Sequence, residues 1–69
     1  MLANEKLIIL LERLHLDAHT NFASLDSLAF MSVVLEIEED FSIKFDYIDL
    51  KPENFNSTTS LLNLIQRKL

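Results

Sequence analysis

The absence of glycine constrains this chain more than any other feature of its sequence, since none of its 69 residues is glycine. Gly-rich loops bind phosphate groups through backbone N–H groups that approach the ligand closely. The sequence therefore excludes the phosphate-binding loop of nucleotide hydrolases and the glycine fingerprint of dinucleotide-binding folds. The chain also lacks cysteine, which excludes disulfide bonds, thiolate catalysis and cysteine-bound zinc.

The length predicts one small domain, residues 1–69, because folding at this size hides only about 60% of the unfolded surface. A deep catalytic cleft is not expected, and we predict no enzymatic activity. The composition, 49% hydrophobic and 25% charged, is typical of a soluble globular domain. The longest apolar run, residues 7–11, is far shorter than the roughly 18 residues of a membrane span. We expect a cytoplasmic protein without a membrane span.

The negative charge lies mainly in one part of the chain. The net charge is −5, which argues against nucleic acid as a partner and favours basic protein surfaces. Residues 36–53 contain seven acidic residues and two lysines, a difference of −5 that equals the net charge of the whole chain. This segment predicts an acidic surface that attracts a basic partner. The alternative is a solvated helix end without a partner.

Apolar periodicity predicts an all-α fold, a small bundle of three main helices plus one short helix. The main helices are expected at about residues 4–14, 26–41 and 57–69. A loop at residues 15–25 separates the first two, and a single helical turn is expected to begin at Pro52. Residue types favoured at helix starts predict N-caps at Asn4, Asp26 and Ser57.

The expected core comes from all three main helices and from the loop. In the first helix the apolar positions are Leu7, Ile8, Leu10, Leu11 and Leu14. In the last helix they are Leu61, Leu62, Leu64, Ile65 and Leu69. The loop is expected to be anchored to the core by Leu16, Phe22 and Leu25.

The second helix carries two apolar stripes, one more than folding requires. At about 100° per residue, one sector holds Phe30, Val33, Val34, Ile37 and Phe41, and this sector is expected to face the core. A second stripe, Leu28, Met31 and Leu35, lies on another side, with Glu38 and Glu39 continuing that flank. We interpret this apolar stripe as a partner-binding surface. The alternatives are that the preceding loop covers it, or that its exposure has no function.

Ser27 is the candidate functional residue because it lies at the start of this helix, one turn from the apolar stripe. The positive end of a helix dipole favours a negative group such as a phosphodiester at this place. Taken alone, a serine at a helix start is most often a cap.

Longer motifs surround Ser27. Leu25-Asp26-Ser27-Leu28 resembles the Asp-Ser-Leu motif of acyl and peptidyl carrier proteins, in which the serine receives a 4′-phosphopantetheine arm. The acidic run that ends at Phe41, the stretch at residues 42–45 and the Pro-Glu-Asn-Phe stretch at residues 52–55 are also similar to that family. The resemblance covers residues 22–69 well and the first helix only by pattern. Ser24 stands where the family usually has glycine.

The resemblance implies a carrier that holds acyl or aminoacyl groups as thioesters and moves them between biosynthetic enzymes. Its implied partners are a phosphopantetheinyl transferase, an adenylating loading enzyme and downstream acyl-transfer enzymes, and the carrier itself is expected to be a monomer. Asp26 and Ser27 form the implied attachment site. The implied docking residues are Leu28, Met31, Leu35, Glu36, Glu38 and Glu39.

Several alternatives stay open. The chain is either a carrier, a carrier-like interaction module with an unmodified Ser27, or a carrier domain excised from a multidomain synthase. Met1 and the basic ending favour a free-standing protein. The cargo, whether fatty, polyketide, amino-acid or D-alanyl, is not specified by the motif.

Two other arrangements are not expected to be functional. His15, Asp17 and His19 could on paper bind a divalent metal, but they lie in a loop and no second cluster supports them. A hydrolase built on Ser27 would need an oxyanion hole and a substrate pocket, which this small glycine-free chain is not expected to form.

Overall fold

The fold is all-α, as the periodicity predicts, in a computed structural model that describes residues 2–69. Within those residues there is no strand, and the α-helices are α1 (Ala3–Arg13), α2 (Ser27–Phe41), α3 (Pro52–Phe55) and α4 (Thr58–Lys68). Two short 3-10 turns, Phe22–Ser24 and Tyr47–Asp49, lie in the connections.

Leucine, isoleucine, valine and phenylalanine side chains form one core between the three long helices. Phe22 in the first 3-10 turn and Phe55 in α3 are both fully buried and complete this core. The remaining buried residues are Leu7, Leu10, Leu11, Val33, Val34, Ile37, Phe41, Ile43, Leu61, Leu64 and Ile65. Phe30 is half-buried against this core, so the predicted core stripe of α2 is confirmed.

The starts of α2 and α4 follow the local signals in the sequence. The Asp26 carboxylate accepts a hydrogen bond from the Ala29 N–H at 2.8 Å. The Ser57 hydroxyl accepts one from the Ser60 N–H at 3.1 Å. Both predicted N-caps are therefore confirmed. Pro52 begins α3 as predicted, and Lys51 before it makes no side-chain cap.

Three details of the predicted helices are wrong. Asn4 is not the N-cap of α1: the Lys6 N–H bonds to the Leu2 carbonyl at 3.0 Å, so the hydrogen-bond ladder starts earlier and Asn4 lies inside the first turn. Ile8 is 42% exposed because the buried line of α1 runs through Leu7, Leu10 and Leu11. Leu69 follows the last helical residue and is 66% exposed.

The connection from α1 to α2 is anchored as expected. Phe22 is buried, while Leu16 and Leu25 pack against the core from half-buried positions. The Thr58 hydroxyl at the start of α4 donates a hydrogen bond to the Ala18 carbonyl. The 3-10 turns at Phe22–Ser24 and Tyr47–Asp49 were not foreseen, because three-residue turns leave no periodic signal.

Two residues occupy the backbone conformation that favours glycine. His15 after α1 has φ 61°, and Ser42 after α2 has φ 54° and ψ 45°. Helices commonly end with glycine in this left-handed conformation. A chain without glycine must place side chains there, at a conformational cost.

Candidate functional site

Ser27 is the first residue of α2, and its side chain is exposed. The neighbouring Asp26 fixes the start of the helix through its carboxylate and through its carbonyl, which accepts from the Phe30 N–H at 2.8 Å. Because Asp26 supplies the side-chain cap, the Ser27 hydroxyl is not needed for capping. The first turn of a helix presents N–H groups and a partial positive charge, so a negative group on Ser27 would be stabilised there.

The backbone before Ser27 is ordered by Asn21. Its carboxamide oxygen accepts from the Ala23 N–H at 3.0 Å, and its carbonyl accepts from the Ser24 hydroxyl at 2.8 Å. Ser24 lies in the 3-10 turn with an ordinary negative φ. A serine at this position therefore fits the turn without backbone strain.

Ser27 is one of the residues that line an open pocket of about 240 Å³. One wall comes from the segment that leads into α2, and the other comes from the residues just before and at the start of α3. Apart from Ser27 and Lys51, the side chains that line it are apolar: Ala23, Leu25, Phe30, Leu50 and Pro52. A pocket lined by one hydroxyl, one cation and several apolar side chains fits a phosphodiester that continues into a less polar chain.

Sequence reasoning missed the wall made by Leu50, Lys51 and Pro52. These residues are more than twenty positions from Ser27 in the chain, so no helical spacing connects them. Pro52 at the first position of α3 was the one local signal, because it correctly predicted that a helical turn begins there.

The apolar stripe Leu28, Met31 and Leu35 is exposed, as predicted. The exposed fractions are 84%, 43% and 58% in that order. The loop before α2 packs against the core and not over the stripe, so the alternative that the loop covers it is wrong. Three apolar side chains therefore extend from Ser27 along one side of α2.

The three acidic residues predicted to dock partners have different surroundings. The Glu36 carboxylate pairs with Arg13 at 2.9 Å, and the same guanidinium reaches Asp40 at 3.0 Å. Glu38 accepts the Phe45 N–H at 2.7 Å, which ties the end of α2 to the next segment. Glu39 is exposed, and within residues 2–69 its side chain makes no ion pair or hydrogen bond.

Two cations from distant parts of the chain enter the acidic region. Arg13 comes from α1, and its two carboxylate partners, Asp40 first and Glu36 second, raise the pKa of its guanidinium above the ordinary value. Lys68 comes from the end of α4 and pairs with Asp46 and Asp49. The acidic surface is therefore less negative than the local count of seven acids and two lysines predicts.

His15, Asp17 and His19 form a loop and not a metal cluster. The Asp17 carboxylate accepts the His19 N–H at 2.6 Å, which closes a local turn. Among residues 2–69 no group of three or more histidine, cysteine or acidic side chains is arranged to hold a metal ion.

Comparison with known proteins gives no relative: no protein-family model, no curated protein and no solved structure matches the chain. None of the helices in residues 2–69 has both the length and the apolar character that a membrane span requires.

Proposed function

We propose that this chain is a carrier protein, modified on Ser27 by 4′-phosphopantetheine, that carries acyl or aminoacyl groups between biosynthetic enzymes. In this proposal it has no catalytic activity of its own and works in the cytoplasm. The observation that carries the proposal is the position of Ser27: exposed at the start of α2, within the Asp-Ser-Leu motif, and in the lining of an open pocket with several apolar side chains.

The attachment chemistry needs only a reachable hydroxyl on this chain. The Ser27 oxygen attacks the pyrophosphate phosphorus of coenzyme A that bears the pantetheine. An oxygen–phosphorus bond forms, the bond to the adenosine bisphosphate breaks, and the hydroxyl proton passes to a base of the transferase. The arm supplies a terminal thiol that this cysteine-free chain lacks, and the thiol holds the cargo as a thioester.

The surroundings of Ser27 suit a phosphodiester. The helix start favours its negative charge, and Lys51 is a nearby cation that lines the same pocket. Leu25, Phe30 and Leu50 offer an apolar surface to the apolar parts of the arm or cargo, whose removal from water is favourable. The attachment site and the pocket therefore complement different ends of one ligand.

The apolar stripe is the proposed docking surface for the phosphopantetheinyl transferase, the adenylating loading enzyme and the acyl-transfer enzymes. Leu28, Met31 and Leu35 extend along α2 from Ser27, so an enzyme that covers them brings its active site towards the arm. Among the nearby acids, Glu39 is the one that we expect to meet a basic side chain directly. Glu36 and Glu38 already have intramolecular partners, and their main contribution is to the negative potential that steers a partner.

The test is to incubate the purified chain with coenzyme A, magnesium and a promiscuous phosphopantetheinyl transferase and to measure its mass. We expect the mass to rise by one phosphopantetheinyl group. Ser27→Ala should abolish the gain, whereas Thr59→Ala, which removes an exposed hydroxyl on α4, should retain it. No gain in the wild type, or a gain that persists in Ser27→Ala, would contradict the proposal.

The exposed stripe also favours a second function, a carrier-like interaction module whose Ser27 is never modified. Such a module would bind one partner permanently through Leu28, Met31 and Leu35. The same mass measurement distinguishes the two functions, because a module that receives no arm gains no mass. They also differ in binding, since a carrier must release each enzyme to reach the next one.

A further inference from the structure

Residues 46–51 form a turn that connects two aromatic anchors of the core. Before the turn lies Phe45, and after it lies Phe55, with ring centroids 5.9 Å apart. Phe55 also contacts Phe30 of α2, with ring centroids 5.0 Å apart. The two ends of the turn are thus fixed by apolar packing.

The turn itself has little apolar attachment. Its first two apolar side chains, Tyr47 and Ile48, are 92% and 75% exposed. Only Leu50 packs against the core, from a half-buried position, and the 3-10 turn Tyr47–Asp49 contains no buried residue. Burial alone therefore does not hold this segment in one position.

Polar contacts from the end of α4 supply the missing attachment. The Lys68 ammonium lies 2.6 Å from the Asp49 carboxylate and 3.4 Å from that of Asp46. The same Asp49 oxygen accepts the Asp46 N–H at 2.7 Å, so Lys68 holds a carboxylate that already closes the turn. The Asn54 carboxamide adds a hydrogen bond to the Asp49 carbonyl at 2.9 Å.

The pair between Lys68 and Asp49 is more sheltered than an ordinary surface pair. The side chains of Lys68 and Asp49 are only 25% and 15% exposed. The hydrogen bond from Lys68 is the main reason that the pKa of Asp49 lies below its ordinary value. The same hydrogen bond raises the pKa of Lys68. Lys68 lies in the last turn of α4, which the buried Leu64 and Ile65 anchor to the core.

The turn carries one wall of the pocket beside Ser27. Leu50, Lys51 and Pro52 line that pocket, and Leu50 directly follows Asp49, the residue with which Lys68 pairs. We infer that Lys68 is a positioning residue for the candidate site: by pairing with Asp49 it holds the wall of the pocket next to Ser27. Any effect on an arm attached to Ser27 rests on the proposed function. The effect of Lys68 on the position of the pocket wall does not.

Amide hydrogen exchange of the unmodified chain tests the inference. The Asp49 and Leu50 N–H groups donate to the carbonyls of Asp46 and Tyr47 at 2.9 and 3.2 Å, so they report on the turn. Lys68→Met should speed their exchange by about two- to fivefold, while the core amides of α2 stay protected. Lys68→Arg, which keeps the charge and the reach, should restore most of the protection.

The matched control is Lys44→Met, which removes the same charge from an exposed lysine that makes no ion pair within residues 2–69. It should leave the exchange of Asp49 and Leu50 unchanged. Lys68→Gln repeats the test with a polar side chain if Lys68→Met does not fold. Unchanged exchange in the folded Lys68 variant, or an equal increase in Lys44→Met, would overturn the inference.

The methyl resonances of Leu25 and Leu50, which both line the pocket, report on the pocket itself. In Lys68→Met we expect the Leu50 methyls to shift and broaden. If the turn loosens and these methyls do not change, Lys68 holds the turn but does not shape the pocket, and the inference fails. These measurements need no arm, so a failure to modify Ser27 in the mass experiment is a separate result.

Discussion

Replacing Ser42 by glycine should stabilise this protein, although glycine usually destabilises a folded chain. Ser42 ends α2 with φ 54° and ψ 45°, and its side chain is exposed. The left-handed conformation costs a residue with a Cβ atom about 1–2 kcal/mol. Glycine removes this cost but adds about 0.5–1 kcal/mol of conformational entropy to the unfolded state. The expected net gain in the free energy of unfolding is therefore about 0.75 kcal/mol at the middle of these ranges.

The hydrogen bonds at this helix end do not depend on the serine side chain. The N–H groups of Ser42 and Ile43 both donate to the Glu38 carbonyl, the latter at 3.1 Å, and glycine preserves them. A gain of this size corresponds to a rise of about 3–6 °C in the unfolding midpoint of a domain this small.

Urea unfolding followed by circular dichroism measures the change, and Ser32→Gly is its matched control. Ser32 is exposed within α2, and its hydroxyl donates to the Leu28 carbonyl at 3.0 Å. There glycine should lower the free energy of unfolding by about 0.5 kcal/mol. The two serines thus predict opposite signs for the same substitution. If Ser42→Gly lowers the stability as Ser32→Gly does, the argument from the left-handed conformation is refuted.

Three other outcomes are expected. Ile37→Val should lower the free energy of unfolding by about 0.5–1.5 kcal/mol because Ile37 is fully buried, while Ile48→Val at a 75% exposed position should change it by less than about 0.5 kcal/mol; equal effects in urea unfolding would contradict the assigned core. Met31→Glu should slow cargo transfer from the loading enzyme with helicity unchanged by circular dichroism, and unaltered transfer would exclude the apolar stripe as the docking surface. Because the pKa of Asp49 is lowered in the folded state, its contribution to stability is present above about pH 4 and is lost as the pH falls through that lowered pKa. Unfolding measured against pH should show this acid decline, and Lys68→Met should make it smaller; an identical decline in both chains would contradict the pairing.

Local signals predicted most of α2 and the place of Ser27. A cap depends on residues three positions apart, as Asp26 and Ala29 show, and such contacts can be read directly from the sequence. The two stripes of α2 follow from helical geometry in the same way. That one stripe is buried and the other exposed could be expected, because three helices leave part of each surface uncovered.

The charges of the candidate site could not be predicted in the same way. Arg13 meets Asp40 across 27 positions of the chain, and Lys68 meets Asp46 across 22. Counting neighbours along the sequence predicted an acidic surface from residues 36–53 and missed both cations. The hydrogen bond that Glu38 accepts from the Phe45 N–H was missed for the same reason, since it forms only when the chain reverses after α2.

The sequence by itself determined the helical fold, the start of α2 at Ser27 and the absence of glycine-built phosphate loops, because each depends on residue type and short spacing. Only the tertiary structure decided that His15 and Ser42 take the conformation that glycine would favour. It also decided that Leu50, Lys51 and Pro52 line one pocket together with Ser27 and that Lys68 pairs with Asp49 just before them. These features depend on how the helices pack together, which brings distant residues within contact range without leaving a pattern in the chain.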